Sequence, residues 1–149
     1  YFGDYLEGDV NATDFGTFTA TGKVQETLNA PLSKHLSKLN AIRHAIPALQ
    51  KGQYTTSGTY VSGDMAYIRR YTDESTDSLA CVTVSGGATF KNIPNGTYVD
   101  AVTGDIQNVT NGTLTVPSLS RANMRVYVCC ASGFTGIDGQ IGGTTEYLK

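Results

Sequence analysis

The sequence predicts a mainly β protein, an antiparallel β-sandwich preceded by one long amphipathic helix and an N-terminal loop. Three observations predict it. Apolar residues recur at steps of three and four in one stretch only, between Asn29 and Tyr54, which is the period of a helix with one buried face. From Tyr54 onward, short runs rich in Val, Ile, Thr and Tyr are punctuated by Gly, Asn, Asp and Pro, the pattern of an all-β sandwich. The 149 residues are enough for one domain with a proper core.

Residues 1 to 28 carry aromatics (Tyr1, Phe2, Tyr5, Phe15, Phe18) separated by Gly, Asp, Asn and Thr. Neither helical period nor strand alternation is sustained there, so the segment reads as loop. In the helix that follows, Leu32, Leu36, Leu39, Ile42, Ile46 and Leu49 share a face, and Lys34, Ser37, Lys38, Asn40 and Arg43 fall mostly on the other. Asn29 suits the N-cap, and Pro31 is tolerated in a first turn whose N–H groups have no intrahelical partner. Pro47 removes a donor and disfavours helical geometry at Ile46, so the helix stops or kinks there. Pro47 to Lys51 makes one more turn, ended by Gly52.

Nine strands are expected: Gly52–Thr56, Thr59–Ser62, Met65–Thr72, Leu79–Ser85, Ala88–Lys91, Gly96–Val102, Ile106–Val109, Thr113–Val116 and Met124–Cys130. Within Met65–Thr72 both alternating sets contain an arginine, so one face is wet or the Arg stems lie along apolar surface. Asn95-Gly96 and Asn111-Gly112 are tight-turn signals of the type I′ kind, and Thr103-Gly104-Asp105 makes a third reversal. After Cys130 the chain is Gly-rich and reads as a tail or linker, with Ile137, Ile141, Tyr147 and Leu148 available to pin it.

Composition excludes several classes of function. The formal net charge is −2, so there is no basic footprint for nucleic acid or a membrane surface. No apolar run approaches the ~20 residues a membrane helix needs. The amino end lacks an initiator Met, a basic n-region and an h-region, which favours a piece of a longer chain. Cys81, Cys129 and Cys130 include no C-x-x-C pair, and His35 and His44 lie far from them, so neither a zinc site nor a disulfide framework is expected. Cys81 and Cys129 read as small buried hydrophobes, with a bridge from Cys81 to Cys129 or Cys130 left open.

Two stretches carry a family resemblance. Leu39-Asn40-Ala41-Ile42-Arg43-His44-Ala45-Ile46-Pro47-Ala48-Leu49-Gln50-Lys51-Gly52 resembles the last barrel helix of α-amylases of glycoside hydrolase family 13. Gly96-Thr97-Tyr98-Val99-Asp100-Ala101-Val102-Thr103-Gly104 is similar to a run in the family's C-terminal β-sandwich, domain C. Tyr1-Phe2-Gly3-Asp4 looks like the end of the eighth barrel strand, although Tyr5 stands where Glu is usual. The resemblance implies residues 1–52 as the end of a (β/α)8 barrel, 53–132 as a Greek-key sandwich of the domain C type, and 133–149 as a tail. It also implies a secreted bacterial parent enzyme, extracellular or at the cell surface, acting on starch or related α-glucans.

Glycoside hydrolysis needs two carboxyl groups across the scissile bond. The resemblance puts the family's catalytic-site carboxyl groups on the fourth, fifth and seventh barrel strands, upstream of Tyr1. Asp4, Glu7, Asp9 and Asp14 read as a hydrated loop, and Asp73, Glu74 and Asp77 lack the ligand spacing of a calcium loop. No Ser-His-Asp order, phosphate loop or metal pair is present. The chain alone is therefore expected to be inactive and to need no cofactor or metal. Asn11, Asn95, Asn108 and Asn111 stand in Asn-x-Thr sequons.

Two readings follow. In one the sandwich supports the missing catalytic barrel of the parent chain. In the other it binds α-glucan through surface tyrosines, for which Tyr54, Tyr60, Tyr67, Tyr71 and Tyr98 are the candidates. Without the barrel, the Leu32/Leu36/Leu39/Ile46 face is expected to pack on the sandwich or to pair with another copy's helix, with exchange of residues 1–50 as one route to a homodimer.

Overall fold

A computed structural model describes residues 9–12, 16–19 and 23–143, with side chains from Glu26 to Gly143. The chain divides into two units, the first ending at Ser37 and the second beginning at Lys38. In the first unit strands β1 (Asp9–Ala12) and β2 (Gly16–Thr19) pair antiparallel, Val10 opposite Phe18. Helix α1 (Lys23–Asn29) follows. The expectation of loop throughout residues 1 to 28 is thus corrected. Period counting misses a two-strand ladder of four-residue strands, because each is too short to show alternation.

The helical stretch is corrected at its start: three short helices, α1, α2 (Pro31–Ala45) and α3 (Pro47–Lys51), stand where one long helix and a further turn were expected, and the break at Pro47 falls where the sequence put it. Both breaks fall immediately before a proline, which supplies no N–H and disfavours helical geometry in the residue before it. Asn29 is the last residue of α1, not an N-cap. Ile46 is extended (φ −119, ψ 105) between α2 and α3, as Pro47 demands. Gly52 ends α3 extended (φ −65, ψ 151), without the left-handed turn expected of a glycine stop. Its role is close approach: a Cβ there would stand 2.3 Å from the Ala48 carbonyl oxygen.

The second unit holds all nine expected strands, with ends shifted by a few residues at most. They are β3 (Gln53–Thr55), β4 (Val61–Ser62), β5 (Ala66–Thr72), β6 (Asp77–Val84), β7 (Ala88–Lys91), β8 (Gly96–Asp100), β9 (Ile106–Val109), β10 (Thr113–Val116) and β11 (Met124–Cys129). Six form one antiparallel sheet in the order β3-β5-β6-β11-β8-β9, and three form a second in the order β10-β7-β4. The Asn-Gly turns are corrected in kind. Neither Asn95 nor Asn111 has positive φ, so neither pair is a type I′ turn. Asn111-Gly112 links β9 to β10, which lie in different sheets. Asn92 takes the left-handed conformation instead, at φ 55.

Two apolar clusters use the two faces of the six-stranded sheet. Phe90, Val61, Leu114 and Val116 of the small sheet pack against Ile68, Cys81, Tyr98, Tyr127 and Cys129 of the large one. On the opposite face Ile42, Ile46 and Ala48 pack against Ala80, Val82, Val126 and Val128. A strand buried on both sides reads as a continuous apolar run rather than an alternating one. Accordingly Leu79–Thr83 is buried throughout. The stretch after Cys130 is no free tail as far as Gly143. Phe134 joins the first cluster, and Ile137 and Ile141 join the second. Tyr147 and Leu148 lie outside the described residues.

Candidate functional site

The Gly96–Gly104 run is built for a turn. Strand β8 enters it with Gly96 at φ +135, where a Cβ would come within 2.6 Å of the Ala131 Cβ. Tyr98 is fully buried and donates its hydroxyl to the Pro94 carbonyl at 3.0 Å. Asp100 is fully buried too. Its Oδ1 accepts the N–H groups of Val102 (3.2 Å) and Val126 (2.8 Å), and its Oδ2 accepts Thr103 N–H (3.0 Å) and Oγ1–H (2.5 Å). Arg125 Nε stands 3.7 Å from Oδ2. With its oxygens so occupied, Asp100 holds β8, β11 and the turn together and offers nothing to a substrate.

The structure scatters the candidate tyrosines. Tyr54 is 61% and Tyr60 42% exposed. Tyr60 lies beside β4 of the small sheet, whereas Tyr54, Tyr67 and Tyr71 lie on β3 and β5 of the large one. Tyr54 and Tyr67 meet with ring centroids 5.1 Å apart and planes tilted by 42°. Tyr71 donates to Asp73 Oδ2 at 2.8 Å, and Lys51 Nζ stands 5.3 Å from its ring centroid. Tyr98 is corrected as a sugar platform, because its ring fills the interior between the two sheets.

The acidic stretch between β5 and β6 is consumed internally. Asp73 Oδ1 accepts the N–H groups of Ser75 and Thr76, each at 2.8 Å. These bonds and that from Tyr71 hold its carboxyl at about 2, below the ordinary 3.8. Asp77 pairs with Arg70 through two bonds of 3.0 and 2.7 Å, so its pKa is lowered as well, chiefly by the Arg70 hydrogen bond. The Arg70 guanidinium also stands 5.5 Å from the Phe134 ring centroid. Asp4, Glu7, Asp9 and Asp14 have side chains outside the described residues. Among the described residues no group of three His, Cys, Asp or Glu is placed to hold a metal ion. Cys81, Cys129 and Cys130 are free thiols. Cys81 stands opposite Tyr127 and Val128 opposite Ala80, so Cys129 is offset from Cys81 by two positions along the strands.

A concavity that combines apolar wall with charge lies where α2 and α3 cross the large sheet. It encloses about 280 Å³ and is lined by Leu39, Ile42, Arg43, Leu49, Tyr67, Arg69, Val82, Met124 and Val126, all from the second unit. Arg69 stands opposite Ala80 on β6 and Tyr54 on β3. The small Ala80 leaves room for the arginine stem on the helix side of the sheet. Arg69 Nε is buried with no hydrogen-bond partner. The Tyr67 pKa is raised, mainly by burial, with Arg69 opposing and Tyr54 reinforcing the shift. Sequence reasoning singled out Tyr67 but not Arg43, Arg69 or Met124. The available signal was the alternation of β5, which puts Tyr67 and Arg69 on one face.

Comparisons with protein-family models, with curated proteins and with solved structures return no match.

Proposed function

We propose that this chain is a non-catalytic C-terminal part of an α-amylase-like glycoside hydrolase acting outside the cell on starch or related α-glucans. Its sandwich, of the Greek-key domain C type, stabilises the catalytic barrel of the parent chain. The observation that carries this reading is the apolar pair Leu32 and Leu36 in α2, 67% and 50% exposed. Residues four apart share a helix face, and burying each is worth roughly 1.5–3 kcal/mol. Such a face is suited to a larger partner, and the missing barrel is that partner. Leu39 and Ile46, from the same expected face, already pack on the sandwich. The consumption of Asp100, Asp73 and Asp77 in internal bonds supports a supporting role rather than a chemical one.

The test is the reading frame upstream of Tyr1. A barrel with acidic residues on its fourth, fifth and seventh strands is the expected result, and a frame encoding any other fold overturns the proposal. Without the barrel, the exposed leucines favour a dimer through α2. Sedimentation is expected to show concentration-dependent dimerisation, abolished by the double change Leu32→Lys and Leu36→Lys.

A second reading, α-glucan binding, rests on the exposed rings of Tyr54 and Tyr60. Saturable heat on titration with maltoheptaose, lost in Tyr54→Ala, would establish it. An absence of heat leaves the supporting role alone.

A further inference from the structure

We propose that the cavity between α2–α3 and the large sheet binds a small monocarboxylate carried on an apolar body. This inference is independent of the supporting role. Leu39, Ile42, Leu49, Val82, Met124 and Val126 supply apolar wall, and two arginines share the lining, Arg43 exposed and Arg69 half-buried. No carboxyl group lines the cavity, and neither arginine is ion-paired among the described residues. The Nε of Arg69 is buried and without an acceptor. A buried donor left unmet is costly, whereas a charge-assisted bond to an ionised acceptor is among the stronger hydrogen bonds.

The chemistry of the lining selects the ligand. A guanidinium presents parallel N–H groups that match the two oxygens of a carboxylate. A free phosphate dianion fits poorly, because the apolar majority of the wall strips its water without replacing it. A neutral sugar leaves the charge beside the buried Arg69 Nε unmatched. The volume of about 280 Å³, just below the range of roughly 300–1,000 Å³ for ligand pockets, calls for a small molecule. Tyr67, in the wall and backed by the tilted ring of Tyr54, adds aromatic surface for a ring on the ligand.

The experiment uses the full chain labelled at its methionine methyl groups. Met124 lines the cavity and Met65, 58% exposed, does not, so one methyl reports binding and the other serves as internal control. The chain is titrated with 3-phenylpropionate, with its neutral isostere 3-phenylpropionamide, and with inorganic phosphate. A saturable shift of Met124 but not Met65 by the acid is expected, with the amide and phosphate each about tenfold weaker or more, the loss expected for one charged hydrogen bond. In Arg69→Gln the preference for acid over amide is expected to disappear. No saturable Met124 shift, equal binding of acid and amide, or an unchanged preference in Arg69→Gln overturns the proposal. If Arg69→Gln does not fold, the acid–amide comparison in the natural chain decides by itself.

Discussion

A single buried carboxyl group carries much of the sandwich's internal order. Asp100 accepts four hydrogen bonds from Val102, Thr103 and Val126, and removing it strands three backbone N–H groups. Leaving a buried donor unmet costs about 1–3 kcal/mol. Asp100→Ala is therefore expected to lower the unfolding free energy by about 3 kcal/mol or more, measured by urea titration, with Asp100→Asn losing less because it keeps an acceptor oxygen. Gly96→Ala should cost about 1–3 kcal/mol, since φ +135 and the 2.6 Å approach to Ala131 leave no space for a methyl group. Ser78 is fully buried, and its Oγ accepts the Ala48 N–H at 3.1 Å, closing the start of α3. One hydroxyl thus ties a helix terminus to a strand, and no local pattern announces it.

At the scale of elements, α2 and α3 hold to the large sheet through a few residues. Ile42 and Ile46 are 2% and 0% exposed. Ile46→Ala is expected to destabilise by about 2–5 kcal/mol, read from the denaturant midpoint. Lys38 is the exception on that helix. It is buried, its Nζ donates to the Gly143 carbonyl, and its pKa is lowered by burial against the opposing pull of Asp100. The β5–β6 connection supplies a pH dependence. The carboxyl of Asp73 sits at about 2 in the fold against the ordinary 3.8, so folding favours its ionised form. Its stabilisation is complete above 3.8 and is lost as pH falls through about 2. Natural chain and Asp73→Asn are therefore expected to differ in stability at pH 6 and to converge near pH 2, as acid unfolding curves followed by circular dichroism would show.

For the whole molecule, among the described residues neither apolar cluster contains one before Leu39. A chain starting at Pro31 is therefore expected to unfold in one cooperative transition with an unchanged midpoint. A lower midpoint would place part of the stability in residues 1–30. The cavity and the cluster on the helix side of the large sheet share Leu39, Ile42, Leu49, Tyr67, Val82, Met124 and Val126. The wall that would hold a ligand is thus the edge of the core itself, and filling it is expected to raise the midpoint as well as to shift Met124.

The sequence by itself determined the β class, the nine strands of the second unit, the break before Pro47 and the burial of Cys81 and Cys129. These depend on short-range signals: alternation, β-branched composition and the stereochemistry of proline. It misread residues 1 to 28 as loop, so that the β1–β2 pair and most of α1 were missed, and it offered Tyr98 as surface. Only the tertiary structure decided that Tyr98 faces inward, that Asn111-Gly112 crosses between sheets, and that Arg43 and Arg69 line one cavity. Arg43 and Arg69 come from a helix and a strand, and Asp100 and Val126 from different strands. Which residues meet across elements is set by packing and register, which local periodicity does not encode.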